Sequence, residues 1–259
     1  QALAVPRRRL LPVLLITLLT ATALATACSD DSAAPATTGS EPATSPSTTV
    51  AATTTTVSAA EMATAYADAG PFPVGVTTLQ LAKGPKVEVW YPAVEGTTGT
   101  DSYDMREYIP DAVKALLTAD TPAGATYDAG RDAAVADGSF PVVLFSHGAA
   151  GVRVQSTFLT VNLASWGMIV VAPEHPSRDL EGLLTRFLAG ETSPVDRNDS
   201  VDDLLLSLDL ITAEGADTAS LFNGHVDTER VAAVGHSAGG GTVLVAADDP
   251  RLDGYVSMA

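Results

Sequence analysis

The chain of 259 residues is 46% apolar, enough for a buried core, and its low aromatic share of 5% and Ala-, Thr-, Val- and Gly-rich composition give no sign of a coiled coil or collagen. A formal net charge of −17, with 31 acidic against 14 basic side chains, argues against nucleic-acid binding, which needs clustered Lys and Arg to displace phosphate counterions. The acidity reads as solubility in an extracytoplasmic setting and names no substrate.

Residues 1–28 have the order of a bacterial lipoprotein signal. Arg7–Arg9 form a positive region, Leu10–Leu24 an apolar one, and Ala25-Thr26-Ala27 a small-residue run before Cys28, which is the expected lipidated N-terminus. Cys28 is the chain's single cysteine, so no intrachain disulfide can form. Leu24 sits one place further from the cysteine than a lipobox leucine would. An ordinary secretory signal or an uncleaved anchor helix are therefore the alternatives. The chain begins with Gln rather than Met, which points to a clipped start. Residues 29–68 are dominated by Ser, Thr, Ala and Pro, cannot bury enough apolar surface to order themselves, and are expected to form a stalk. The predicted placement is extracytoplasmic, lipid-anchored or secreted, with membrane contact only through the anchor.

A folded domain is expected over 69–259. Val74–Leu81 and Lys86–Tyr91 alternate with period two around Lys83-Gly84-Pro85 and predict an antiparallel pair. The stretch Tyr103–Asp137, with the amphipathic piece Ile109–Leu117, is expected to be helix-prone and to form a lid, a cleft wall or a surface excursion. Phe140–Phe145 and Met168–Ala172 read as buried parallel strands, and Gln155–Trp166 as a helix between them. Ser200–Ala213 predicts an amphipathic helix with Leu204, Leu205, Leu208 and Ile211 on one face, capped by Asn198, Asp199 or Ser200. Arg230–Val234 is a predicted strand, Ala238–Ala247 a helix and Asp253–Ser257 a strand. This alternation predicts an α/β fold with a mostly parallel, right-handed doubly wound sheet.

Gly235-His236-Ser237-Ala238-Gly239 fits the G-x-S-x-G nucleophile elbow and lies between a predicted strand and a predicted helix, the context that motif requires. A serine there sits at a strained turn, so Gly235 and Gly239 must lack side chains. The second element is the strand ending in Ser146-His147-Gly148-Ala149-Ala150-Gly151. The expected oxyanion donors are the backbone NH groups of Ala238, following the nucleophile, and Ala149.

Val87–Pro92, Phe140–Gly148, Ala164–Gly167, Ala172–Pro176 and Val234–Gly240 together resemble bacterial α/β hydrolases of the "predicted dienelactone hydrolase" group. Those in turn resemble platelet-activating-factor acetylhydrolases and cutinase-like polyesterases. The resemblance runs from about Phe72 onward. It implies an α/β-hydrolase fold and a Ser-His-Asp esterase acting on small-molecule or lipid esters, with no metal or organic cofactor. Dienelactone hydrolases use a cysteine nucleophile where this chain has Ser237.

In this fold the acid and the histidine follow the serine in the chain, yet His147, His175, His225 and His236 all precede Ser237. His147 and His236 read as loop-orienting, His225 as a solvated loop residue, and His175 as structural or in touch with substrate. Asp248, Asp249 and Asp253 read as turn formers at the opposite edge of the sheet. The chain is accordingly expected to be an N-terminal part, truncated after about the sixth strand of the fold, with the rest of the triad beyond Ala259. The alternatives are an interfacial lipase or polyesterase, and a non-catalytic surface lipoprotein on the same fold.

Overall fold

The computed structural model describes residues 64–192 and 197–259. The signal-type segment 1–28 with Cys28, and the stalk up to residue 63, lie outside the described residues. Among the described residues no helix is long and apolar enough to cross a membrane.

Among the described residues nine strands form, in chain order, as β1 (Val74–Gln80), β2 (Lys86–Pro92), β3 (Thr100–Asp104), β4 (Gly124–Asp128), β5 (Gly130–Arg131), β6 (Phe140–Ser146), β7 (Ile169–Pro173), β8 (Val226–His236) and β9 (Gly254–Met258). Seven of them make one sheet in the order β5-β1-β2-β7-β6-β8-β9. The β1–β2 and β2–β7 pairs are antiparallel, and β7, β6, β8 and β9 run parallel. The helices are α1 (Asp111–Lys114), α2 (Thr157–Ser165), α3 (Leu180–Leu188), α4 (Arg197–Ala216) and α5 (Ala238–Ala246). The expected α/β architecture, mostly parallel and doubly wound, is therefore present.

The strands read as continuous apolar runs because both faces of the sheet are covered, and their period-two geometry sends alternate residues to opposite sides. Val142 and Leu144 of β6, with Ile169 and Val171 of β7, join Leu204, Leu208 and Ile211 of α4 and Val243 of α5 in one core. Val143 and Phe145, with Val170 and Ala172, join Trp90 and Ala164 of α2 in the other. The amphipathic stripe predicted for α4 thus faces the sheet; truncating fully buried Leu204 to Ala would cost about 2–5 kcal/mol.

Two expectations need correction, and one helix adds to them. The stretch Tyr103–Asp137 is not mainly helical: β3 and β4 pair as a separate antiparallel ribbon, and α1 is a single turn. Its Tyr103 and Tyr127 rings lie 6.3 Å apart, and buried Tyr108 packs with Trp90, so tertiary packing overrides the local helix pattern. Helix α4 begins at Arg197, which puts Asn198, Asp199 and Ser200 within its first turns rather than at the cap. Helix α3, which the sequence reading passed over, starts where Asp179 accepts a hydrogen bond from Gly182 N at 2.6 Å.

Candidate active site

Strands β6, β7 and β8 are parallel, so the segments following them emerge on one edge of the sheet, the usual place for a site in such folds. Ser237 follows β8 immediately and is solvent-exposed, with φ 54° and ψ −116°. Positive φ at a non-glycine residue costs on the order of 1–3 kcal/mol and persists only where its surroundings impose it. Here Ser237 N donates to Met258 O of β9 at 2.7 Å, and α5 begins at the next residue. The serine hydroxyl thus stands at a helix N-terminus, where free NH groups and the helix dipole favour negative charge.

The close packing behind the serine explains the glycines. A β-carbon on Gly239 would overlap Ser146 O and stand 2.7 Å from His147 O, and one on Gly235 would overlap Gly239 O. Gly148 lies beside the elbow: a β-carbon there would be 3.4 Å from Ser237 Cβ. Gln155 joins the two segments, since its Oε1 accepts from Gly148 N at 3.1 Å and its Nε2 donates to His236 Nδ1 at 3.1 Å.

In the loop after β6, Ala150 N donates to Arg178 O at 2.9 Å and Gly151 N to Gly148 O at 3.1 Å. Ala149, exposed like Ala238, donates its NH to no acceptor among the described residues. Both Ala149 and Ser237 line a cavity of about 310 Å³ whose other walls include Tyr103, Met105, Val152 and Gln155. The 103–137 stretch therefore supplies a wall of the cleft. Tyr103 also borders a second cavity, of about 440 Å³, with Arg131 and Arg153 in its lining. Both arginines pair with buried Glu88, at 2.8 and 3.1 Å.

The four histidines occupy different roles. His175 is fully buried, which corrects the thought that it touches substrate. Its Nε2 lies 2.9 Å from Ser146 Oγ and its Nδ1 3.1 Å from Asp203 Oδ2, while Lys83 Nζ holds the other Asp203 oxygen at 2.6 Å. The partners imply an Nδ1–H that donates to the carboxylate and an Nε2 that accepts from the hydroxyl. Burial holds this imidazole well below its ordinary pKa, with His147, Arg178 and Lys83 acting in the same direction. The Ser146–His175–Asp203 chain has the connectivity of a catalytic triad but sits wholly in the core, so it ties β6, β7 and α4 together rather than facing solvent. His147, also fully buried, donates from Nδ1 to Gly148 O at 2.8 Å and keeps Nε2 3.3 Å from Glu174 Oε1. His236 is anchored by Gln155, and His225, at the opposite edge, bonds Gly138 O at 2.9 Å.

Of the aspartates after Ser237, Asp249 and Asp253 bond backbone NH groups around the turn before β9. Asp249 accepts from Arg251 N at 3.0 Å and Asp253 from Val231 N at 2.9 Å, between α5 and β9. Among the described residues no group of three or more His, Cys, Asp or Glu side chains is gathered as a metal site. The structure thus brings together Gly235, Ser237, Ala238, Gly239 and Ala149. Gln155 and Arg178 are the residues of this site that the sequence reading missed; a Gln and an Arg in loops carry no motif of their own.

A ferulic acid esterase from Streptomyces cinnamoneus is similar over 73% of this chain, at 24% identity and a TM-score of 0.49. This chain spans 61% of the length of that one. The family model for platelet-activating factor acetylhydrolase, isoform II, matches residues 59–201, more than half of the chain, so that the elbow at 235–239 lies beyond the matched residues. On that match the chain belongs to the platelet-activating factor acetylhydrolase isoform II family, a family of the α/β-hydrolase type.

Proposed function

We propose that the intact protein hydrolyses carboxylic esters through an acyl-enzyme on Ser237. The observation that carries this reading is the strained, exposed backbone of Ser237 at the mouth of a cavity, with unpaired NH groups nearby. A non-catalytic binding protein on this fold has no need to hold a serine at φ 54° against a helix N-terminus. The family supports an ester as substrate.

Two steps follow chemically. Ser237 Oγ attacks the ester carbonyl carbon as its proton passes to a base, and the carbonyl oxygen becomes an anion held by the NH groups of Ala238 and Ala149. Collapse of this intermediate expels the alcohol, which takes the proton back from the base. Water then adds to the acyl-serine in the same manner and releases the acid and the free serine. Each oxyanion donor is worth about 10²- to 10³-fold in turnover.

The four histidines of the chain are not placed as the base. His147 and His175 are buried and engaged, His225 lies across the sheet, and His236 is held by Gln155. The histidine base in this mechanism therefore comes from outside the described residues. Lipid anchoring at Cys28 and an extracytoplasmic location belong to the same proposal, supported by the order of charged, apolar and small residues before Cys28. An interfacial lipase or polyesterase would need an apolar surface around Ala149, to which buried His175 contributes nothing.

The test is p-nitrophenyl acetate hydrolysis by the intact natural protein and its Ser237→Ala variant. Loss of turnover by about 10⁶-fold is expected. The 259-residue chain expressed alone is expected to show no burst. Undiminished turnover in Ser237→Ala, or a Ser237-dependent burst from the chain alone, would overturn the nucleophile or the placement of the base respectively.

A further inference from the structure

Arg178 lies just after β7 and is 6% exposed, yet among the described residues no carboxylate contacts its guanidinium. Its guanidinium donates to four neutral oxygens on three separate pieces of chain. Nε donates to Ser200 Oγ of α4 at 2.8 Å, and Nη1 donates to His147 O, at the start of the loop that holds Ala149. Nη2 donates to Ser146 Oγ at 2.8 Å and to Thr242 Oγ1 of α5 at 3.3 Å. Burial pushes the guanidinium down to about 10, against the pull of Asp203 and Asp179, so it remains charged near neutral pH. A buried cation with neutral partners costs folding free energy that an apolar side chain of similar volume would avoid. Fold stability alone therefore gives a poor account of it.

Its backbone acts on the same loop from the other side. Arg178 N donates to His175 O at 2.9 Å, which fixes the turn, and Arg178 O accepts from Ala150 N at 2.9 Å. Leu180 N then donates to Gly151 O at 3.0 Å, so residues 178–180 and 150–151 form a short ladder. Ala150 adopts φ 54° within it. The ladder takes up the NH of Ala150 and the carbonyl of Gly151, and the guanidinium takes up the carbonyl of His147. Ala149 is left between two fixed points with its NH unpaired beside Ser237. Through Thr242, one turn into α5, the same guanidinium also ties the loop to the helix that begins at Ala238.

We infer that Arg178 is the positioning residue of the oxyanion site, holding the Ala149 NH of the loop in register with the Ala238 NH of helix α5. The inference rests on the function proposed above. Misplacing a catalytic group by about 1 Å can cost on the order of 10²-fold in rate, and because the oxyanion exists only after attack, this loss falls on kcat and not on ground-state binding.

The experiment measures kcat and KM for p-nitrophenyl butyrate in the intact natural protein, together with the affinity for a trifluoromethyl ketone that mimics the tetrahedral intermediate. The variants are Arg178→Lys, Arg178→Met and Ser200→Ala, with Ser237→Ala as reference and thermal melts on all. Arg178→Met is expected to lose about 10²-fold in kcat with KM within about threefold, and to lose ketone affinity by a similar factor. Arg178→Lys, which keeps the charge but cannot reach all four oxygens, should recover part of that loss. Ser200→Ala removes an acceptor on α4 and is expected to lower kcat about three- to tenfold by freeing the guanidinium. If Arg178→Met does not fold, Ser200→Ala and Arg178→Lys decide. Folded variants that keep kcat and ketone affinity within twofold, or that lose only melting temperature, overturn the positioning role. Full activity in Ser237→Ala instead overturns the underlying mechanism, whatever the Arg178 variants do.

Discussion

Gly239 packs its α-carbon against the carbonyl of Ser146, so closely that a β-carbon on Gly239 would overlap that oxygen. Helix α5 and strand β6 are thereby held at a separation that only glycine permits, and the obstructing atoms, Ser146 O, Ser146 C and His147 O, are all backbone. Backbone cannot rotate away as a side chain can. Gly239→Ala is accordingly expected to destabilise the protein by about 3 kcal/mol or more, near the upper end of overpacking costs, and to lower activity with it. Urea titration of the variant checks this; a midpoint within error of wild type would show that the helix can move off the strand.

The loop after β6 makes a sharper distinction between side chain and backbone. Ala149→Gly keeps the NH and should stay within about tenfold of wild-type kcat. Ala149→Pro removes the donor and should lose about 10²- to 10³-fold. Ala150→Gly should be fully active, because φ 54° suits glycine at least as well as alanine. Steady-state kinetics on the three variants, with circular dichroism to confirm folding, is the check; an Ala149→Pro enzyme that folds and turns over normally removes Ala149 from the oxyanion site.

The core relay gives a pH dependence with a definite sign. Folded His175 is held neutral well below its ordinary value by burial first, so as pH falls below about 6.5 the unfolded chain takes up a proton that the folded chain refuses. Its contribution is fully present above that pH and is lost below it, at up to about 1.4 kcal/mol per pH unit for one proton. Asp179 acts in the opposite sense. Burial raises its carboxyl to about 6, so the folded state holds the proton first and stability falls as pH rises from about 4 to about 6. Unfolding free energies of wild type, His175→Gln and Asp179→Asn separate the two. The advantage of wild type over His175→Gln should shrink from about pH 7 to about pH 5, and its advantage over Asp179→Asn should shrink from about pH 4 to about pH 7. Differences independent of pH would place either group in a more polar setting than the structure gives it.

Much of this architecture was legible in the chain because parallel strands buried on both faces leave apolar runs such as Phe140–Phe145, and because an elbow needs small residues at 235 and 239 for steric reasons. The β3–β4 ribbon was not. Its residues, among them Ser102, Thr126 and Asp128, are mostly polar and exposed, and the ribbon is held by pairing and by the contact of its Tyr127 with distant Trp90. The same holds for Arg178. Its role arises from where β6, α4 and α5 bring Ser146, Ser200 and Thr242, and no local pattern around residue 178 encodes that convergence. His175 shows the reverse case: a histidine just past a strand at the functional edge suggests chemistry, but its neighbours Ser146 and Asp203, from remote parts of the chain, claim both ring nitrogens.

Covalent labelling reads the role of Ser237 as nucleophile without relying on a substrate. The intact natural protein is treated with a fluorophosphonate, digested and mapped by mass spectrometry, with Ser237→Ala treated in parallel. A single adduct is expected on the peptide containing Gly235-His236-Ser237-Ala238-Gly239, located on Ser237 and absent from the variant, with buried Ser146 unlabelled. An adduct on any other serine, or no adduct on a folded full-length protein, would contradict that role.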